Sequence, residues 1–184
     1  VNPDEVKEAC DYIRFLNRST GRVRTGIGSG RQDVNVSCRG GSRVEIKGVA
    51  HTRWIPELTH NEAFRQWSLL LLRDKLKQKV KDPNKWKISS RKLNYYDFGF
   101  SYQPIVNARD ERNKIVAVNL PGFRGALSHF MQPGKVFGNE LEERIAVVAC
   151  LERPNMTHSE SLNPVVEPEN WAKVREMLNS KSED

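Results

Sequence analysis

The run Asp33-Val34-Asn35-Val36-Ser37-Cys38 alternates strictly between polar and apolar residues, and after Arg39-Gly40-Gly41-Ser42 the run Arg43-Val44-Glu45-Ile46-Lys47 alternates again. A period of two suits a strand with one buried face, and two such runs about a Gly-Gly turn predict an antiparallel hairpin. Like faces match only if paired positions sum to an even number. A three-residue loop at 40–42 then pairs Cys38 with Val44, Ser37 with Glu45, Val36 with Ile46 and Asn35 with Lys47. A two-residue loop would set Val36 against Glu45 and mix the faces. The hairpin therefore has a polar face made of Asp33, Asn35, Ser37, Arg43, Glu45 and Lys47.

That face carries chemistry of two kinds. Carboxylates, an amide and an amine are groups that bind Mg²⁺ and phosphate or move protons. Arg31 and Arg43 are candidates for a two-pronged phosphate contact. A solvated outer face of an antiparallel sheet has the same pattern, so the pattern alone leaves both readings open. The preceding run Gly26-Ile27-Gly28-Ser29-Gly30 is open in the same way, as turn-making glycines or as a nest of backbone N–H groups for an anion. It is neither a P-loop nor a dinucleotide fingerprint, because no Gly-Lys-Ser/Thr follows and a strand stands where a helix is needed.

Around the hairpin, residues 2–17 read as a helix capped by Asn2, with Pro3 at its first turn and Val6, Cys10, Ile13 and Leu16 at helical spacing. Pro56-Glu57 opens a longer helix to about residue 80, with Trp67, Leu70, Leu71 and Leu76 as its apolar face. Asp82-Pro83-Asn84 breaks it, which sets the expected boundary between domains at 1–82 and 88–184. Beyond it, Tyr95–Tyr102 reads as a strand, and Ile105–Ala108 and Lys114–Leu120 as the arms of a hairpin about Asp110-Glu111-Arg112-Asn113. Asn139 caps a helix over 140–150, Pro168 opens another to about Leu178, and the Ser-Glu-Asp end is expected to fray. The expected fold class is α+β: hairpin and helices first, then a small α+β module.

Charge adds direction. The net charge is +7, but residues 21–53 hold seven basic and two acidic side chains, residues 75–92 eight and one, and residues from 138 onward five and ten. Two basic blocks favour a polyanion partner, with Lys79, Lys81 and Lys85 as its candidate contacts; a solvated helix end reads alike. The four histidines are scattered, and no pair has metal-ligand spacing. Three widely spaced cysteines read as reduced thiols, which points to the cytoplasm. No apolar stretch is long enough to span a membrane. The chain begins at Val1 and reads as part of a longer protein.

The stretch Thr25-Gly-Ile-Gly-Ser-Gly-Arg-Gln-Asp-Val-Asn-Val-Ser, with Gly41-Ser-Arg-Val-Glu-Ile-Lys-Gly-Val and Ile55-Pro-Glu, resembles the GatB/GatE family of tRNA-dependent amidotransferase subunits. Gly-Val after Lys47 points to the GatE branch. Leu120-Pro-Gly-Phe-Arg-Gly, Gln132-Pro-Gly and Phe137-Gly-Asn-Glu-Leu are similar to the GAD domain. The resemblance implies a kinase-like catalytic cradle over 1–82 and a GAD-like domain over 88–184. It implies ATP and Mg²⁺ as cofactors, glutamate on tRNA(Gln) as the group phosphorylated, and an ammonia-generating partner subunit of the GatD kind. Asp33, Glu45 and Lys47 would be catalytic, and Gly28, Gly30, Arg31, Asn35 and Arg43 would bind ATP or substrate. The resemblance places the family's principal metal ligands upstream, in a Glu-x-His motif and later acidic residues that this chain does not contain, so no metal ligand is assigned, and the isolated chain is expected to be inactive. A non-catalytic RNA- or protein-binding module is the rival reading.

Overall fold

The computed structural model describes residues 1–184 other than Ile27, Arg153, Pro154 and Pro164. The chain divides into two compact units, Val1–Leu71 with Met131–Pro133, and Leu72–Phe130 with Gly134–Asp184. The elements are helices and short antiparallel strand pairs, the α+β class expected.

In the first unit, α1 spans Pro3–Ser19. Asn2 accepts a hydrogen bond from the Glu5 amide, and the Glu5 carboxylate accepts one from the Asn2 amide, a reciprocal capping box. Strands β1 (Gln32–Val36) and β2 (Val44–Val49) form the expected antiparallel hairpin. Val34, Val36 and Val49 go inward with Ile55, and Val6, Cys10, Ile46, Leu58 and Ala63 pack against them.

The faces are as the alternation demands, but the register differs by two residues. Val36 pairs with Val44, Asn35 with Glu45 and Val34 with Ile46. The expected pair Cys38–Val44 does not form, because Cys38 opens a turn closed by the Gly41 amide on its carbonyl, with Gly40 at φ +85 in the third position. A side chain from elsewhere holds that arrangement. Gln66 Nε2 donates to the Val36 carbonyl at 3.0 Å, and the Cys38 amide donates to Gln66 Oε1 at 3.0 Å. At the other end Gln32 pairs with Val49, so Lys47 and Gly48 together oppose Asp33 in a bulge. Gly48 there has φ +69, which a side chain adopts only under strain.

Helix α2 spans Ile55–Lys79. Its buried positions between Ile55 and Ser68 are largely polar: Thr59, Glu62, Gln66 and Ser68. Glu62 accepts two hydrogen bonds from Arg65 and one from Gln66, so this carboxylate is buried with its partners. The expected apolar face is corrected accordingly. Trp67 is 50% exposed and Leu71 37%, while Leu72 is buried.

In the second unit, β3 (Ser89–Leu93) pairs with β4 (Ile115–Asn119), Ser89 opposite Asn119 through Leu93 opposite Ile115. Between them lies α3 (Gln103–Asp110). The expected hairpin about 110–113 is therefore a helix end. The Asn113 amide bonds to Ala108 and the Arg112 amide to Arg109, with Arg112 at φ +55, a Schellman cap. The aromatic run 95–102 is not a strand either. Asn94 caps a single 3₁₀ turn, Tyr95–Asp97, and Phe98 and Phe100 then stack at 4.9 Å. They form a core with Val166, Val174 and Leu178.

Short strands β5 (Phe130–Gln132) and β6 (Lys135–Val136) precede α4 (Phe137–Ala149), and α5 spans Pro168–Leu178 as expected. Asn139 lies inside α4, where its Oδ1 accepts from the Val136 amide, rather than before it. The final residues are anchored rather than frayed. Asp184 accepts from Asn119, Gly122 and Lys181, and Arg124 donates to the Ser182 carbonyl.

Candidate functional site

The bulge in β2 decides the geometry of the polar hairpin face. By putting two residues against one, it turns Lys47 toward Asp33 while keeping Glu45 within reach. Lys47 Nζ lies 2.9 Å from Glu45 Oε2 and 3.6 Å from Asp33 Oδ2. Asp33 Oδ1 accepts the Gly48 amide at 2.7 Å. That backbone hydrogen bond, aided by Lys47 and opposed by partial desolvation, holds the Asp33 carboxyl below its usual range. The hydrogen bond and charge of Glu45, with a smaller contribution from Asp33, push the Lys47 ammonium up. Both groups are therefore ionised at neutral pH.

Arg31 lies over the same bulge, since a Cβ built on Gly48 would sit 3.6 Å from its Cδ and 3.7 Å from a guanidinium nitrogen. Two cations and two carboxylates thus meet around Gly48, a residue to which the strand pattern assigns no role. In the strand pattern its signal is the break in alternation at Lys47-Gly48-Val49. The Lys47 side chain is 71% exposed, so an incoming anion can reach it without rearranging the core.

Asn35 stands opposite Glu45 on the exposed face. Arg43 lies beyond the Val36–Val44 pair, whereas Arg31 lies beyond Gln32–Val49. The backbones of the two arginines thus stand at opposite ends of the hairpin, about 20 Å apart along it at strand rise. Gly28 has φ +75, and neither it nor Gly30 has an atom within 4 Å of a built Cβ, so this loop is open to solvent. Ser29 closes back on the Gly26 carbonyl, and Ile27 lies outside the described residues. Lys79 Nζ donates to the Arg124 carbonyl, Lys85 pairs loosely with Asp82 at 3.6 Å, and Lys81 is exposed. Among the described residues no three His, Cys, Asp or Glu side chains are gathered to hold a metal. None of the described helices is long and apolar enough to cross a membrane.

The class this defines is an α+β protein with a lysine held between two carboxylates, and an arginine beside it, on an exposed hairpin face. A family model described as the GatB/GatE catalytic domain matches residues 1–148, and the chain belongs to that family. It is 32% identical over 189 aligned residues to the E subunit of the glutamyl-tRNA(Gln) amidotransferase of Pyrococcus furiosus, covering 100% of this chain and 29% of that protein. The corresponding protein of Methanocaldococcus jannaschii is 33% identical, with 99% of this chain and 28% of that protein covered. For the Pyrobaculum arsenaticum counterpart the values are 36%, 87% and 26%. The chain therefore spans less than a third of the length of these relatives, and its similarity leans to the GatE branch of the family.

Proposed function

We propose that this chain is a portion of a glutamyl-tRNA(Gln) amidotransferase subunit. In the whole protein, ATP would phosphorylate the side-chain carboxylate of glutamate carried on tRNA(Gln). Ammonia from a GatD-like partner subunit would then displace the phosphate. The observation that carries the reading is Lys47 held between Asp33 and Glu45 beside Arg31, on an exposed face of a GatB/GatE domain. Lys47 and Arg31 would bind phosphate oxygens, and Glu45 and Asp33 would keep the ammonium in place and charged.

A bound Mg²⁺ would supply charge neutralisation at the phosphates. Asp33 and Glu45 could each lend it an oxygen, but both already engage Lys47, and among the described residues no third His, Cys, Asp or Glu side chain is gathered with them. On that ground the isolated chain is expected to turn over no ATP. Residues 1–82 would be the cradle portion, 88–184 a GAD-like module, and the cytoplasm the compartment.

In the complete protein, Asp33→Ala or Glu45→Ala should lower amidation at least about 10²-fold, the low end for losing one catalytic group. Wild-type turnover by both variants would leave the rival reading, a non-catalytic binding module whose carboxylates only fix Lys47. For tRNA contact, Lys81→Glu with Lys85→Glu is a cleaner test than a variant of Lys79, which also ties down Arg124. Each lost phosphate contact should flatten the dependence of log K on log salt by about 0.9 for duplex regions.

A further inference from the structure

Helix α1 and the 3₁₀ turn Thr52–Trp54 pack together in the first unit. Between them is an open cleft of about 250 Å³ lined by Arg14, His51, Thr52 and Arg53. The acid nearest to it is already engaged, since Asp11 accepts Lys7 Nζ at 2.7 Å and a hydrogen bond from the Thr52 side chain. Neither Arg14 nor Arg53 has a carboxylate within ion-pair distance among the described residues. The cleft thus offers two guanidiniums without a close ion pair, Arg14 sharing the charge of Asp11 at longer range, and an imidazole, a lining suited to phosphate.

Beside it stands an aromatic group. Trp54 is 44% exposed, meets His51 edge-on at 4.7 Å, and has the Arg53 guanidinium 5.7 Å from its ring centre. An exposed indole flanked by arginine is a stacking platform for a nucleobase, and base stacking is the part of single-strand binding that phosphate contacts cannot supply.

We propose that this cleft binds single-stranded nucleotide, with Arg14 and Arg53 on its phosphates and Trp54 stacked on a base. The site shares no residue with the polar hairpin face, and it stands whether or not that face is catalytic.

The test titrates the 184-residue chain with a 5′-phosphorylated cytidine trinucleotide at low salt, following tryptophan fluorescence. Binding should quench the emission. Arg14→Ala with Arg53→Ala should weaken binding tenfold or more and flatten the salt slope by about 1.4, the single-strand value for two phosphate contacts. Arg14→Lys with Arg53→Lys should restore most of the slope. Trp54→Ala should weaken binding about tenfold, within the range for losing one stacked base, while Trp54→Phe should keep the affinity and lose most of the quench. An abasic trinucleotide should bind more weakly and be indifferent to Trp54→Ala. A cytidine monophosphate that binds as tightly as the trinucleotide would mean a mononucleotide pocket and overturn the strand reading. No binding, or unchanged affinity and slope in the double alanine variant with wild-type circular dichroism, would overturn the proposal.

Discussion

The two units solve the problem of a small core in opposite ways. The first clusters the buried side chains of Val34, Val36, Val49 and Ile55 and adds the polar group Glu62, Arg65 and Gln66. The second buries a stacked phenylalanine pair among three aliphatic residues and ties its loops with carboxylates on backbone amides. Glu160 bonds the Gly125 and Ser128 amides, and Asp184 those of Gly122 and Lys181. Backbone strain is divided the same way. Every described positive-φ residue of the first unit is glycine, whereas the second holds Arg112, Cys150 and Asn179 there. The unit that carries the polar hairpin face depends on directional polar contacts and glycine turns, which fix where side chains point. The second adds to such contacts an aromatic core and left-handed caps that carry side chains.

The largest expected effect is on the aromatic core. Phe98→Ala removes half of the stacked pair and should cost about 3–5 kcal/mol, the usual range for a buried phenylalanine. Hydrogen exchange should quicken across 89–119 and 166–178 and hold steady across 32–49. Equal quickening in both stretches would break the contrast between the units.

Next is Gln66→Ala, with an expected cost of about 2–3 kcal/mol, because the Val36 carbonyl and the Cys38 amide each lose a partner in a buried setting. Denaturant midpoints would measure it. The distinctive outcome is local: the amides of 36–44 should lose protection first, since Gln66 is what holds the turn at 38–41. Gly41→Ala should act in the same direction, as its Cβ would lie 2.6 Å from Gln66 Oε1.

Those two residues also explain what can be read from the sequence. The faces of the hairpin follow from alternation alone, because a period of two has one solution. The register does not, because it is set by Gln66, 30 residues from Val36, and by the bulge at Gly48. The buried stripe of α2 is illegible for a related reason. Thr59, Glu62 and Gln66 have helical spacing but read as surface until their partners are known, and Trp67 and Leu71 then claim the apolar face on hydrophobicity alone. In the second unit β3 is hidden in a basic run with no alternation. Helix α3 reads as a strand through Ile105-Val106, although Pro104 suits the first turn of a helix. Of the candidate site, the residue types Asp33, Glu45, Lys47 and Arg31 are visible, but not which of them meet. The register expected from alternation puts Asn35 opposite Lys47, and the bulge puts Asp33 there.

A smaller effect separates the units by pH. His158 lies against Gly138, which has no room for a Cβ beside Nε2, and its buried Nδ1 has no partner among the described residues. Burial lowers its pKa, with Glu160 and Glu142 opposing weakly. A folded-state value below the unfolded value of about 6.5 means the unfolded chain binds more protons in that interval, so stability rises with pH. The contribution is complete above about pH 6.5 and is lost as pH falls toward the folded value. Thermal melts as the pH is lowered from neutral should show the second unit weakening, and His158→Gln should remove that part of the slope. An unchanged slope would mean the imidazole is not held neutral.

The smallest expected effect is a gain, and it tests the division of backbone strain directly. Cys150 ends α4 at φ +54 in a Schellman cap, with the Leu151 amide on Ala146 and its own on Val147. A side chain in the left-handed region costs roughly 1–2 kcal/mol, and glycine avoids that while losing more chain entropy on folding. The net for Cys150→Gly should be about 0.5–1 kcal/mol of added stability. Arg112→Gly should give a similar gain, because it occupies the same position after α3. Asn179, which follows α5 at φ +52, should gain least, since asparagine tolerates this conformation best among the three. The reverse change in the first unit, Gly48→Ala, should lose stability, because the bulge holds that residue at φ +69. Guanidinium midpoints of the four variants would check the ranking. Were Asn179→Gly to gain as much as Cys150→Gly, side-chain strain would not be what distinguishes these caps. Were Gly48→Ala neutral, the bulge that brings Lys47 to Asp33 would not need its glycine.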